Sequence, residues 1–101
     1  MKSFIAVALA GALIASPAWA QLDLAKKKNC LACHSVEKKI LGPAFKDVAA
    51  KYATDADAPA RLSKKVRSGG TGVWGKNVMP ANPQVTEAEA DQLVKWVLSL
   101  K

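Results

Sequence analysis

Apolar residues recur with helical spacing in several separate segments of this chain. The clearest stripe runs through Phe45, Val48, Ala49 and Tyr52, which follow one another at i, i+3, i+4 and i+7. Lys46, Asp47 and Lys51 lie off this stripe. No segment shows the strict alternation of apolar and polar residues that is typical of a half-buried strand. The pattern therefore indicates helices, and a helix beginning at Phe45 is the best defined of them.

Start signals for three further helices precede the other apolar stripes. Asp23 is a possible N-cap for the first helix, and Asp57 with Pro59 two positions later marks the start of another. Thr86 and Glu89 form a capping box before the last helix, which we expect to continue to the end of the chain. Leu24, Lys28 and Leu31 share one face of the first helix, and the third helix runs through Leu62 and Val66. The predicted inward face of the last helix comprises Leu93, Val94, Val97 and Leu98, with Val85 and Ala90 placed for a hydrophobic staple.

The segment between the third and fourth helices predicts a long irregular loop. Residues 68–84 contain glycines at positions 69, 70, 72 and 75 and prolines at 80 and 83. Loops of this length inside a small domain usually have a function.

The first twenty residues have the pattern of a secretory signal peptide. Lys2 provides a positive charge, residues 4–15 form an apolar run, and Ala18 and Ala20 are the small residues that a signal peptidase reads. The alternative is a membrane anchor, but twelve residues span only about 18 Å as a helix, against a hydrocarbon core about 30 Å thick. We therefore predict cleavage after Ala20, a single domain over 21–101, a periplasmic location and no stable membrane insertion.

The charge of the chain favours acidic partners. Fifteen Lys and Arg against eight Asp and Glu give a net charge of +7, which falls to +6 when Lys2 is removed with the leader. A basic surface of this kind attracts acidic molecules. Nucleic acid is not expected as a partner, because the protein is exported and carries no recognisable nucleic-acid-binding motif.

The segment Cys30-Leu31-Ala32-Cys33-His34 carries the candidate chemistry. Two thiols three positions apart can add to the two vinyl groups of one haem, and the adjoining imidazole can reach the iron, so the motif is typical of haem c attachment. A thiol redox couple or a simple disulfide between the two cysteines are alternatives. A zinc site is disfavoured because it needs four ligands and the chain has only two cysteines and one histidine.

A haem iron held by His34 needs a second protein ligand if it is to carry electrons. With the cysteines and the only histidine already used, the remaining soft neutral donor beyond the leader is Met79, in the irregular loop. Ligation by His and Met raises the reduction potential relative to other axial pairs. This combination suits an electron carrier and not an oxygen-activating enzyme.

At this point the chain resembles the short class I bacterial cytochromes c, which are monohaem periplasmic electron carriers. The resemblance covers the whole mature sequence and rests on six motifs. They are Asn29-Cys30-Leu31-Ala32-Cys33-His34, Gly42-Pro43-Ala44, Asp47-Val48-Ala49-Ala50-Lys51-Tyr52, Gly72-Val73-Trp74-Gly75, Met79-Pro80 with Asn82, and Lys95-Trp96-Val97-Leu98.

The resemblance implies an all-α, class I cytochrome c fold, with four short helices around one covalently bound haem c. It also implies eight site residues. These are Cys30 and Cys33 as thioether attachments, His34 and Met79 as axial ligands, Pro43 as the acceptor of the other ring N–H of His34, Trp74 and Lys65 near the haem propionates, and Asn82 near the methionine sulfur.

The chain departs from the family pattern at two places in the loop. Ala81 stands where relatives often have a second proline after the methionine, and Lys76-Asn77 stand where relatives tend to have a proline shortly after Trp-Gly. Both differences predict a less rigid loop around Met79.

The function that we expect is one-electron transport between respiratory complexes by a monomeric protein. A small haem peroxidase or ligand sensor is disfavoured by the sixth ligand Met79, and a haem-free thiol oxidoreductase by the lack of alternating strands and helices. The expected partners are periplasmic or membrane-bound redox proteins with acidic docking surfaces, such as a terminal oxidase, a nitrite reductase or a peroxidase. Candidates for the basic rim of the docking face are Lys28, Lys38, Lys39 and Lys76.

Overall fold

Four α-helices form the domain, in a computed structural model that describes residues 18–101. The helices are α1 (Ala18–Lys27), α2 (Phe45–Lys51), α3 (Ala58–Ser68) and α4 (Glu87–Leu98), with a single 3-10 turn at Cys30–Ala32. Residues 18–101 contain no strand, only two isolated antiparallel bridges, between His34 and Lys39 and between Gly70 and Met79. The predicted all-α architecture of four short helices is confirmed.

Helix α1 begins earlier than the sequence pattern indicated. It starts at Ala18, so Asp23 lies inside the helix and forms an i, i+4 ion pair with Lys27 at 3.2 Å, and the prediction that Asp23 is the N-cap is wrong. No proline or glycine interrupts the chain between Ala18 and Asp23, so the helix continues through these residues. The predicted cleavage site after Ala20 falls in the first turn of α1, and the rest of the predicted leader lies outside the described residues.

Helix α4 begins as predicted and ends earlier. The hydroxyl of Thr86 accepts from the backbone N–H of Glu89 at 3.1 Å, and the Glu89 carboxylate accepts from the backbone N–H of Thr86 at 3.0 Å, which completes the capping box. Val85 and Ala90, the predicted staple, are both fully buried. The helix ends at Leu98 and does not continue to the chain end.

The buried face of α4 is wider than its periodicity suggested. Leu93 and Val94 are buried as predicted, whereas Val97 and Leu98 are only half-buried and Trp96 is buried instead. Helix α4 packs against α1, α2 and α3, so side chains on several of its faces are covered. Trp96 makes an edge-to-face contact with Phe45 of α2, with ring centroids 5.6 Å apart. The central cluster comprises Ala25, Phe45, Val85, Ala90, Leu93 and Trp96.

Helix α3 has the predicted bounds, with Asp57 at its N-cap position. The Asp57 side chain makes no capping hydrogen bond, and its own backbone N–H instead donates to the carboxylate of Asp55 at 3.0 Å. Gly69 ends the helix with a φ of 74°, which costs a glycine little. None of the helices within 18–101 has the length and apolar character needed to cross a membrane.

Candidate haem site

A cavity of about 290 Å³ brings all eight predicted site residues together. It lies against α3 and α4 and receives side chains from the turn after α1 and from the irregular loop. The predicted residues on its wall are Cys30, Cys33, His34, Pro43, Lys65, Trp74, Met79 and Asn82.

The cysteine motif enters the cavity wall through a tight turn. Asn29 adopts left-handed backbone angles, with φ of 67°, and ends the path of α1 so that the 3-10 turn can begin at Cys30. The backbone N–H groups of Cys33 and His34 both donate to the carbonyl of Cys30, at 3.3 and 3.1 Å. Cys30 and Cys33 are thus half-buried thiols beside the same cavity.

The environment of Cys30 does not favour a thiol redox couple. Burial raises the pKa of the Cys30 thiol, and a hydrogen bond to its backbone only partly opposes this effect. Reactive Cys-x-x-Cys thiols instead have a lowered pKa, because the thiolate is the nucleophile. The raised pKa of Cys30 is thus opposite to that of a reactive thiol couple.

The imidazole of His34 is held with one nitrogen free. Its Nδ1 lies 2.8 Å from the carbonyl oxygen of Pro43. Because a carbonyl can only accept, Nδ1 carries a proton, and in the neutral form of the ring Nε2 then keeps an available lone pair. The ring also stacks on Phe45, with centroids 4.8 Å apart and an interplanar angle of 20°. This arrangement fixes the orientation of the ring, as is usual for an imidazole that ligates a metal.

Gly42 is a site residue that the sequence analysis did not identify by role. A Cβ at this position would lie 2.5 Å from Cε1 of His34, and within 2.9 Å of both ring nitrogens. The backbone N–H of Gly42 also donates to the carbonyl of Cys33 at 2.7 Å, which folds the chain back over the histidine. Only the position of Gly42 directly before Pro43 could have signalled this close approach.

The loop that carries Met79 is attached to the end of α3. Backbone hydrogen bonds run in both directions between Gly70 and Met79, at 2.8 and 3.0 Å. A Cβ on Gly69 would lie 2.6 Å from the Met79 carbonyl oxygen, so a larger residue there would displace the loop. The Asn82 amide donates to the carbonyls of Val66 and Pro80, at 3.0 and 3.1 Å. Asn82 thus positions the backbone around the methionine.

Trp74 and Lys65 both lie on the cavity wall. Trp74 is 40% exposed, and the ammonium of Lys51 lies 5.4 Å from the centroid of its ring. This cation–π contact was not anticipated from the sequence. Lys65 has no ion-pair partner among residues 18–101, and its alkyl chain passes beside Gly70.

Large apolar side chains are exposed around the opening of the cavity. Leu41, Val73 and Val78 are 58%, 45% and 70% exposed, and all three also line the cavity. We call these residues, together with the adjoining Ile40, the apolar rim. Large apolar side chains left exposed beside a cavity are typical of an interaction site.

The four lysines predicted to surround the docking face differ in their environment. Lys28 is only 24% exposed, pairs with Glu89 at 3.2 Å and donates to the Gln84 carbonyl at 3.2 Å, so it links α1 to α4 and is not a free surface charge. Lys38, Lys39 and Lys76 are exposed and have no ion pair within 18–101.

The residues on the wall fit one covalent haem c. They supply two thiols for two thioether bonds, an imidazole with a free nitrogen, a methionine sulfur and a mainly apolar surface. The core around them is small, since Val85 is the largest side chain that is fully buried. The described residues contain no group of three or more His, Cys, Asp or Glu that could hold a bare metal ion.

Comparison with known proteins identifies close relatives. The family model described as Cytochrome c matches residues 23–101. The chain is 51% identical to cytochrome c-552 of Nitrosomonas europaea, over its whole length and 95% of that protein. It is 50% identical to cytochrome c-552 of Hydrogenobacter thermophilus over the whole of both proteins, and 47% identical to cytochrome c-551 of Pseudomonas aeruginosa, again over both.

Two solved structures show the same fold. The crystal structure of the wild-type Nitrosomonas europaea cytochrome c552 has a TM-score of 0.77 at 54% identity, covering 79% of this chain and 99% of that one. The class 1 cytochrome MtoD from Sideroxydans lithotrophicus has a TM-score of 0.70 at 36% identity, covering 83% and 96%.

Proposed function

Because the chain belongs to the cytochrome c family, we propose that it carries single electrons between periplasmic redox proteins through a haem iron ligated by His34 and Met79. Members of this family bind one haem c covalently and are electron carriers, not enzymes. Bound haem c supplies an iron that takes up and releases one electron. Membership of this family supports a haem-based electron carrier. We propose in addition the two axial ligands, the periplasmic location and the acidic redox partners.

The state of His34 is the observation that supports the ligation most strongly. Its Nδ1 proton is used on the Pro43 carbonyl, which leaves Nε2 as a donor beside Cys30 and Cys33. The hydrogen bond from Nδ1 fixes the ring and strengthens the imidazole as a donor. Cys30 and Cys33, four positions and one position before the histidine, then attach the porphyrin next to that nitrogen.

Met79 is the proposed second ligand because its backbone is held at the same cavity. The paired hydrogen bonds with Gly70, and those of Asn82 to the carbonyls of Val66 and Pro80, fix the loop against α3. A thioether is a weak donor that favours the ferrous state and so raises the reduction potential. Trp74 and Lys65 are proposed to face the haem propionates, which carry negative charge.

The proposed docking face is the apolar rim with Lys38, Lys39 and Lys76 around it. A transient redox complex needs a small interface so that the partners separate quickly after transfer. Exposed apolar residues at its centre exclude water, and the surrounding lysines attract an acidic partner. The proposal for a monomer that binds acidic redox proteins rests on this arrangement and on the net positive charge.

The location in the periplasm rests on the predicted leader over residues 1–20. Intact mass and N-terminal sequencing of the exported protein test it, because cleavage after Ala20 leaves Gln21 as the first residue. A product that retains residues 1–20 would contradict both the cleavage site and the mature domain of 21–101.

Replacement of Met79 tests the ligation. Met79→Ala should remain folded and covalently haem-loaded, bind imidazole or cyanide more tightly in the oxidised state, and have a lower reduction potential. Val78→Ala is the matched control, since it removes the exposed neighbour without removing the sulfur. If oxidised Met79→Ala binds external ligands no more tightly than the parent, Met79 is not the ligand.

A further inference from the structure

The side chain of Asn77 makes a hydrogen bond to a segment that is distant along the chain. Its side-chain Nδ2 donates to the backbone carbonyl of Leu41 at 2.8 Å. The loop around it contains Gly72 and Gly75, both at positive φ, with open space around each. Without a proline at positions 76 and 77, the backbone of this stretch gains its restraint from a side chain.

This hydrogen bond joins the two segments that carry the proposed iron ligands. Leu41 directly precedes Gly42, which packs against the imidazole of His34, and Asn77 lies two residues before Met79. Among the hydrogen bonds of residues 18–101, it is the one that connects segment 35–44 to segment 69–84. Both partners line the cavity and both are exposed, so the bond lies at the cavity opening.

We propose that Asn77 is a positioning residue that fastens the methionine loop across the cavity opening and keeps Met79 on the iron. The inference rests on the proposed ligation by His34 and Met79. The hydrogen bond between Asn77 and Leu41 would then control how often the sixth coordination position of the iron opens to external ligands.

The loop can move away from the iron only if its attachments on the opening side are released. On one side the loop is held by the paired backbone bonds of Gly70 with Met79, and at the opening it is held by the Asn77–Leu41 bond. An exposed hydrogen bond contributes modestly to stability, and its loss should shift a local opening equilibrium by about two- to tenfold. Local opening, and not global unfolding, is the quantity that should change.

The test compares the rate of imidazole binding to the oxidised, haem-loaded protein in matched variants. Asn77→Ala removes the side chain, and Asn77→Leu keeps a similar size without an amide donor and without a charge. Lys64→Ala is the control for the loss of an exposed side chain, because Lys64 lies on α3 outside the cavity lining. Thr86→Ala is the control for lowered global stability, because it breaks the capping box of α4 away from the cavity. Both Asn77 variants should bind imidazole about two- to tenfold faster than the parent, and both controls should bind at the parent rate.

Amide hydrogen exchange provides a second measurement that does not depend on ligand binding. Exchange at Met79, whose N–H donates to Gly70, should accelerate in Asn77→Ala and not in Lys64→Ala. The methionine-to-iron band in the far-red spectrum of the oxidised parent tests the ligation by Met79 separately from the role of Asn77. If the parent lacks that band, the ligation proposal fails, and the role of Asn77 fails with it.

If the parent shows the band, the kinetics judge Asn77 alone. Asn77 variants that bind imidazole at the parent rate would overturn the inference. A Thr86→Ala variant that accelerates binding as much as Asn77→Ala would also overturn it, because the effect would then be one of general stability.

Discussion

Replacing Gly42 by alanine should destabilise the protein through a single steric contact with His34. The added Cβ would lie 2.5 Å from Cε1, whereas ordinary contact begins at 3.4 Å, so the imidazole or the backbone must move by about 0.9 Å. Gly42 is not among the glycines at positive φ, so the expected cost comes from the overlap and not from a left-handed backbone.

The imidazole has little freedom to move. Its Nδ1 is bonded to the Pro43 carbonyl at 2.8 Å, and its face is stacked on Phe45, which itself contacts Trp96 in the core. Forcing one extra carbon into a packed site of this kind costs about 1–3 kcal/mol. For a domain of this size each kcal/mol lowers Tm by about 4–8 °C, so we expect a fall of at least about 4 °C.

Gly70→Ala is the matched control for this experiment. Its added Cβ would lie 2.8 Å from Cε of Lys65, a similar overlap, but the neighbour is the far end of a flexible side chain that can turn away. Its stability should therefore change by less than about 0.5 kcal/mol. Thermal unfolding of the oxidised, haem-loaded variants, followed by circular dichroism, measures both.

A second readout separates displacement of the ligand from general overpacking. Pushing the ring away from Pro43 weakens the hydrogen bond that strengthens the imidazole as a donor, so Gly42→Ala should have a higher reduction potential than the parent. A Gly42→Ala protein that melts within about 2 °C of the parent and of Gly70→Ala would refute the confinement of His34.

Two other features lead to testable outcomes. Thr86→Ala should lower the free energy of unfolding by about 1 kcal/mol in chemical denaturation. Thr86→Ser keeps a capping oxygen and should lower it far less. Equal losses of stability in the two variants would show that the hydroxyl does not stabilise α4 as a cap. Hydrogen bonds from the backbone N–H of Thr86 and, next, from the ammonium of Lys28 lower the pKa of Glu89. The ionised carboxylate therefore stabilises the fold above about pH 4.3, and this contribution is lost as the pH falls through the lowered pKa. Glu89→Gln should lose that part of the pH dependence of stability, and an unchanged profile would contradict the assignment. Raising ionic strength from about 0.01 M to about 0.15 M shortens the Debye length from about 30 Å to about 8 Å, so stopped-flow electron transfer with an acidic partner should slow, and a flat or rising second-order rate would refute electrostatic docking.

The sequence by itself determined the helices and the chemical groups of the site. The capping box of α4, the stripe of α2 and the glycine at the end of α3 act over three or four residues, so local pattern is sufficient to locate them. The cysteine motif is equally local, and Met79 was proposed by elimination because the chain offers few soft donors. These features need no knowledge of which segments meet.

The start of α1 and the environment of Lys28 depended on context beyond a short window. Asp23 is a good N-cap residue, but its partner Lys27 and the uninterrupted chain before it extend the helix instead. Lys28 was a candidate for the basic rim of the docking face, but in the structure it pairs with Glu89 of α4 and donates to the carbonyl of Gln84. Sequence periodicity carries no information about such a partner, which is distant along the chain.

Only the tertiary structure decided how the site is held together. The contact of Gly42 with His34, the buried position of Trp96 against Phe45 and the bond from Asn77 to Leu41 all join backbone or side chains of different segments. Asn77 and Leu41 are separated by 36 residues. An exposed asparagine in a glycine-rich loop has no local sequence pattern that shows whether its side chain is hydrogen-bonded to the protein or solvated. Such contacts exist because helix packing brings the two loops to one cavity, and the free energy that selects that packing is spread over the whole core.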